Sequence, residues 1–315
     1  VRRACARLGA LGAALGALAL GGCGLEVGSP PSTVKLLITR DFGAQVLHST
    51  GALHTTGGES VLELLQRNAT VVTGPGGRRV QDIDGVAGSS GAGTGAPSEW
   101  LYYVNGVQAS KGPAAASVKP GDHIWWDLHD TSQAHDVPAV VGAFPEPFLN
   151  GYEGKRLPIR VECASSSTAC RTVTETLQSA GVPAALAAIG SGGAPETLRV
   201  MVGPWSHLGG DLEAASIGRG PAASGVYARF SADAQTLTLL DEQGRPVRAL
   251  HGDAGLVAAT RGVKEAPVWV ITGTDDAGVE LAARAFNRQA LEDRFAVALT
   301  SAGPIALPVA SQGTP

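Results

Sequence analysis

The chain has 315 residues, with 24 basic and 28 acidic side chains and a formal net charge of −4, and its length is enough for two domains of ordinary size. With no cluster of Lys and Arg in the body of the chain, this balance argues against nucleic acid as a partner and against electrostatic adhesion to anionic lipid. No paired-carboxylate or His-Glu-x-x-His pattern occurs, and no Cys/His set has metal-ligand spacing, so neither a catalytic residue nor a metal site is expected.

Residues 1–22 read as an export signal. Arg2, Arg3 and Arg7 flank an apolar run, Leu8 to Leu20, that is too short to span a bilayer. The run ends in Leu20-Gly21-Gly22-Cys23, which resembles the lipobox of bacterial lipoproteins. That resemblance implies a diacylglyceryl group on Cys23 and a location on the outer face of the cytoplasmic membrane, anchored but not spanning. Residues 23–33, with Pro30-Pro31, form a tether.

Residues 34–134 form the first domain. Val34 to Arg40 and Ala44 to Leu53 read as strands around an Asp41-Phe42-Gly43 turn. Ser60 to Asn68 fits an amphipathic helix with Val61, Leu64 and Leu65 on one face. Thr70 to Thr73 and Val80 to Ile83 are short strands, and Gly85 to Ser98, almost free of large side chains, is expected to be a mobile loop. Asn105-Gly106 is a hairpin signal because both residues tolerate positive φ. Gly121-Asp122 then introduces His123 to Leu128, a strand rich in aromatic and branched side chains.

The YYVNG hairpin, the PGD turn and the Trp-bearing strand together resemble a family of domains, once of unknown function, that includes the C-terminal domain of the vitamin B12 carriers transcobalamin and intrinsic factor. The resemblance spans about Val34 to Leu128. It implies a fold related to the β-grasp, in the order strand, strand, helix, strands, and it offers a corrinoid as the ligand to consider.

Residues 135–154 carry prolines among bulky apolar side chains, and we read them as a connector packed across a seam. Residues 155–315 alternate strands and helices. Leu157 to Cys163, Leu198 to Val202, Gly225 to Phe230, Thr236 to Leu240, Val247 to Leu250, Pro267 to Thr272 and Phe295 to Leu299 read as strands. Cys170 to Ala180 and Asp276 to Gln289 read as helices. In an exported chain Cys163 and Cys170 are expected to form a disulfide. The fold class expected is therefore α+β: an N-terminal β-grasp-like domain, then a C-terminal α/β layered domain.

His123, Trp125, Asp127 and His129 alternate along one strand and so share a face. Such a face can contact a flat polar ligand or bring an imidazole to a cobalt centre, and equally it can be an ordinary strand surface. Trp100 and Tyr102 share a face opposite Leu101 and Tyr103. Trp205 follows a strand, where open α/β sheets place ligand loops. The expected ligand-binding set is Trp100, Tyr102, His123, Trp125, His129 and Trp205. Ser206 beside His207 does not make a hydrolase, because adjacent residues seldom form a nucleophile–base pair and no nucleophile elbow is present. The expected function is that of a non-enzymatic, lipid-anchored, extracytoplasmic ligand-binding protein. It would need no cofactor and would capture a corrinoid or other small molecule for an uptake transporter or partner lipoprotein. A cell-envelope scaffold or adhesion lipoprotein is the alternative.

Overall fold

The computed structural model describes residues 33–310, apart from 56, 92–94, 192–193, 195 and 264, and the described residues fall in one compact unit. The expected export signal, Cys23 and the expected tether up to residue 32 lie outside them. The protein is strand-rich and mixed α+β.

The first half begins with an antiparallel hairpin of β1 (Thr33–Arg40) and β2 (Gln45–His54). Asp41, Phe42 and Gly43 turn it through left-handed backbone, with φ of 58°, 58° and 82°. α1 (Val61–Gln66) starts at a capping box: the Ser60 hydroxyl accepts the Glu63 N–H and the Glu63 carboxylate accepts the Ser60 N–H. Two otherwise unsatisfied N–H groups are thereby paired, and the helix buries Val61, Leu62, Leu64 and Leu65.

β3 (Val71–Thr73), β4 (Val80–Ile83) and β5 (Val86–Ala87) form a small antiparallel sheet. β6 (Ser89–Ser90), β7 (Pro97–Val104), β8 (Val107–Gln108) and β9 (His123–Asp130) complete the main one. Its order is β2-β1-β9-β7-β6, with β8 on β7. β1 and β9 run parallel at its centre, and their neighbours are antiparallel. The loop expected over 85–98 contains two paired stretches instead. Trp100 Nε1 donates to the Val86 carbonyl at 2.9 Å and Ser89 N to Ser98 Oγ at 3.1 Å, so hydrogen bonds hold the stretches 86–90 and 97–98, whose small side chains give no packing signal.

The second half has a seven-stranded sheet in the order β11-β10-β12-β17-β16-β18-β19. β10 (Ile159–Cys163), α2 (Thr168–Ser179), β11 (Ala185–Ala188) and β12 (Leu198–Pro204) are followed by the short helices α3 (Trp205–Leu208), α4 (Ala215–Gly218) and α5 (Pro221–Ser224). A three-stranded antiparallel sheet of β13 (Ala228–Phe230), β14 (Thr236–Leu240) and β15 (Pro246–His251) is inserted next. The chain then adds β16 (Gly255–Thr260), β17 (Val268–Gly273), α6 (Asp276–Arg284), α7 (Arg288–Leu291), β18 (Ala296–Thr300) and β19 (Gly303–Leu307). The long helix expected over 276–289 is two helices, because the Asn287 side chain accepts the Ala290 N–H and caps a new start. Cys163 and Cys170 are disulfide-bonded, Cα atoms 5.9 Å apart, and tie the end of β10 to the first turn of α2.

One apolar cluster runs across both halves. Leu37, Phe42, Tyr103 and Trp125 of the first half pack with Tyr227, Leu256, Val270 and Phe295 of the second. On the other face of the large sheet, the connector residues Ala139, Val141, Phe144 and Phe148 join a second cluster with Trp269, Phe286 and the inner faces of α2 and α6.

Candidate functional site

The period of β9 places His123, Trp125, Asp127 and His129 on one face, and protein covers that face. Trp125 and His129 are buried, with the Phe295 ring 5.2 Å and 5.5 Å from theirs. Phe42 stacks on His129 at 4.4 Å. Asp127 is wholly buried and accepts from Phe42 N at 3.1 Å, Gly43 N at 2.9 Å, Thr39 Oγ1 and the His129 ring. Trp125 Nε1 donates to Thr39 Oγ1 at 2.7 Å. His123, half-buried at the end of the row, has its imidazole pKa lowered to about 4 by burial and by the nearby Lys35 and Arg288 charges. The row is therefore the joint between the halves, and a ligand would have to displace Phe42 and Phe295 to reach Trp125.

The other expected residues lie elsewhere. Trp100 and Tyr102 face α1, where Tyr102 stacks on Trp126 at 4.9 Å. Trp205 is buried in α3 and stacks on Phe230 at 4.5 Å. Ser206 and His207 share no hydrogen bond among the described residues. No group of three His, Cys, Asp or Glu side chains that could hold a metal ion occurs among the described residues, and no helix there is long and apolar enough to cross a membrane.

Three concavities stand out among the described residues; the smallest, of about 280 Å³, is lined by the Arg160, Glu162, Arg199, Asp211 and Glu213 ion-pair cluster, and two are larger. One, of about 850 Å³, lies between the β3–β4 turn and β5–β7; Arg78, Arg79, Gln81, Ser90, Glu99 and Trp100, the last of them one of the six expected residues, line it. It is the more exposed of the two, and its Arg79 is 3.5 Å from Glu99. The other, of about 660 Å³, is a cleft on the seam. The first half supplies Gln108, Ala109 and Ser110, the connector Tyr152 and Glu153, and the second half Lys155, Glu196, Arg261 and Val263. Arg261 lies over the Tyr152 ring at 5.9 Å and reaches Glu153 at 3.9 Å; Lys155 pairs with Glu196 at 2.7 Å. Mixed aromatic, charged and apolar walls of this volume suit a small molecule. None of the six expected residues lines the seam cleft. Tyr152, at the end of the greasy connector, was the one local signal that could have pointed there.

Beneath the cleft, the turn at residues 146–151 docks on the first half. Asn105, with φ of 55°, donates from Nδ2 to Asp122 Oδ1 at 2.9 Å and to the Gly151 carbonyl at 2.7 Å. Asn150 Nδ2 donates to the Gly121 carbonyl at 3.2 Å. Glu146 and Asp122 are both buried, each 6% exposed, and burial raises both carboxyl pKa values, that of Glu146 to about 7.

These features define a strand-rich, mixed α+β protein. Residues 58–130 match the family model described as Domain of unknown function (DUF4430), a family associated with transcobalamin-like domains. The match takes in less than a quarter of the chain and begins after β1 and β2. No curated protein matches the chain.

Proposed function

We propose that the protein is a non-enzymatic ligand-binding lipoprotein, anchored through Cys23 on the outer face of the cytoplasmic membrane, that captures a small molecule for an uptake system. The observation that supports this is the seam cleft of about 660 Å³, built jointly by the first half, the connector and the second half. Four of its charged groups, Lys155, Arg261, Glu153 and Glu196, already form pairs, Lys155 with Glu196 and Arg261 with Glu153, the latter beside Tyr152. A ligand carrying both apolar surface and polar groups exchanges those pairs for its own. A corrinoid is the first ligand to test, since the matched segment belongs to a family associated with transcobalamin-like domains. The parallel β1–β9 pair at the centre of the first sheet, with α1 between the flanking strands in sequence, supports a β-grasp reading of residues 34–134. Residues 155–315 then form the second, α/β layered domain.

The test is a titration with aquo- and cyanocobalamin, following the visible corrin bands and the melting temperature. A saturable shift in both, weakened by Arg261→Ala, supports capture in the cleft; no shift at high micromolar ligand removes the corrinoid. Membrane anchoring is tested separately, by whether Cys23→Ala releases the protein from the membrane fraction.

A scaffold or adhesion role is the second reading. Its test is a search for a contiguous exposed apolar patch, since Val263 and Leu212, 90% and 78% exposed, are scattered singly and do not by themselves mark an interface.

A further inference from the structure

Glu146 is a buried carboxyl with no cation within hydrogen-bonding distance among the described residues. Its two oxygens accept from the backbone and side-chain nitrogens of a single residue, Asn150, the former at 2.8 Å. The charged groups that face it are the Asp122 carboxylate, which repels it, and Arg156, which reaches Asn150 Oδ1 at 3.1 Å rather than Glu146 itself. Lys119 stands by Asp122, whose Oδ2 accepts the Lys119 N–H at 2.8 Å. Asn105 and Asn150 are the neutral bridges between this pair of acids and the turn. The same turn continues into Tyr152 to Lys155, which pair with each other through backbone hydrogen bonds of 3.1 Å and 2.9 Å and form one wall of the seam cleft.

We infer that Glu146 is a proton switch for the cleft: when protonated it lets the 146–151 turn seat on Asn105 and Gly121, and when ionised it loosens that seat and the Tyr152–Lys155 wall with it. As the regulation of a binding cleft, the inference rests on the ligand-capture reading above; the motion itself does not. The mechanism is proton linkage between a seated state, which disfavours the charged carboxyl, and a lifted state, in which water solvates it. Asp122 adds repulsion in the seated state alone. The seated pKa of about 7 lies above the ordinary glutamate value of 4.5. Lifting therefore becomes easier as pH rises between those two values and levels off above the higher one.

The experiment is amide hydrogen exchange on the full chain at pH 5 and pH 6.5, corrected for the intrinsic pH dependence of exchange. Protection of residues 147–156 in the wild type is expected to fall by about tenfold or more between the two pH values. Protection of β16 and β17 should stay constant. In Glu146→Gln the fall should vanish, and in Asp122→Asn it should shrink. A wild type with equal protection at both pH values overturns the switch, as does a fall that persists unchanged in both variants. Because no ligand is present, failure here leaves the cobalamin titration untouched, and failure of the titration leaves this result standing.

Discussion

His129 Nδ1 lies 2.8 Å from Asp127 Oδ1, with both side chains fully out of solvent. Two residues apart on one strand, they form a buried polar pair that the second half of the protein seals. Asp127 also accepts from Thr39 and from two backbone N–H groups. Its removal strands four donors at the joint. Asp127→Ala is expected to cost about 3–5 kcal/mol of unfolding free energy. Urea denaturation measures the loss, and a loss under 1 kcal/mol would show that the joint does not depend on this carboxylate.

Asn105 combines a positive φ with three side-chain hydrogen bonds: to Asp122, to the Gly151 carbonyl and, through Oδ1, from His123 N at 2.8 Å. Asn105→Ala removes all three and leaves an alanine in left-handed backbone. A loss of roughly 2–4 kcal/mol is expected. Asn105→Gly keeps the turn but not the bonds, so it should lose less than the alanine variant. Parallel thermal melts of the two variants separate the backbone share from the side-chain share.

Local signals carried the first half well. The Asn105-Gly106 and Gly121-Asp122 turns and the alternation along 123–128 are nearest-neighbour features, and β7, β8 and β9 follow from them. β16 was missed because Gly255-Leu256-Val257-Ala258-Ala259-Thr260 is buried on both faces; a central strand of small residues shows no alternation. The shared face of His123, Trp125, Asp127 and His129 was legible from strand period, but what covers it was not. Phe295 comes from a distant strand end and Phe42 from a turn, and no local rule couples either to β9. The seam cleft was hidden for the same reason, since three segments far apart in sequence build it.

The Cys163–Cys170 disulfide closes a short loop between β10 and α2. Loop-closure entropy alone gives it about 2.5 kcal/mol. Replacing both cysteines with serine should lower stability by about that amount, and the reduced wild type should match the double variant. Ser167 still caps α2 by accepting the Cys170 N–H at 3.2 Å, so the helix itself should persist in far-ultraviolet circular dichroism. Loss of the helical signal on reduction would mean that the bridge, not the cap, nucleates α2.

His123 sets an acid limit on stability. Its folded pKa is lowered to about 4, first by burial and then by Lys35 and Arg288, while the unfolded imidazole titrates near 6.5. A group depressed on folding gives stability that is present above the unfolded value and is lost as pH falls toward the folded one. The melting temperature should therefore drop between pH 6.5 and pH 4 from this group. Glu146 acts in the opposite sense across an overlapping range, since its raised pKa makes the folded state lose stability as pH rises from about 4.5 to about 7. The wild-type profile is the sum of the two and can look flat. The difference between wild type and His123→Asn isolates the first: the variant should gain on the wild type as the solution is acidified below pH 6.5. A difference that does not change with pH would mean that the imidazole is solvated in the folded protein.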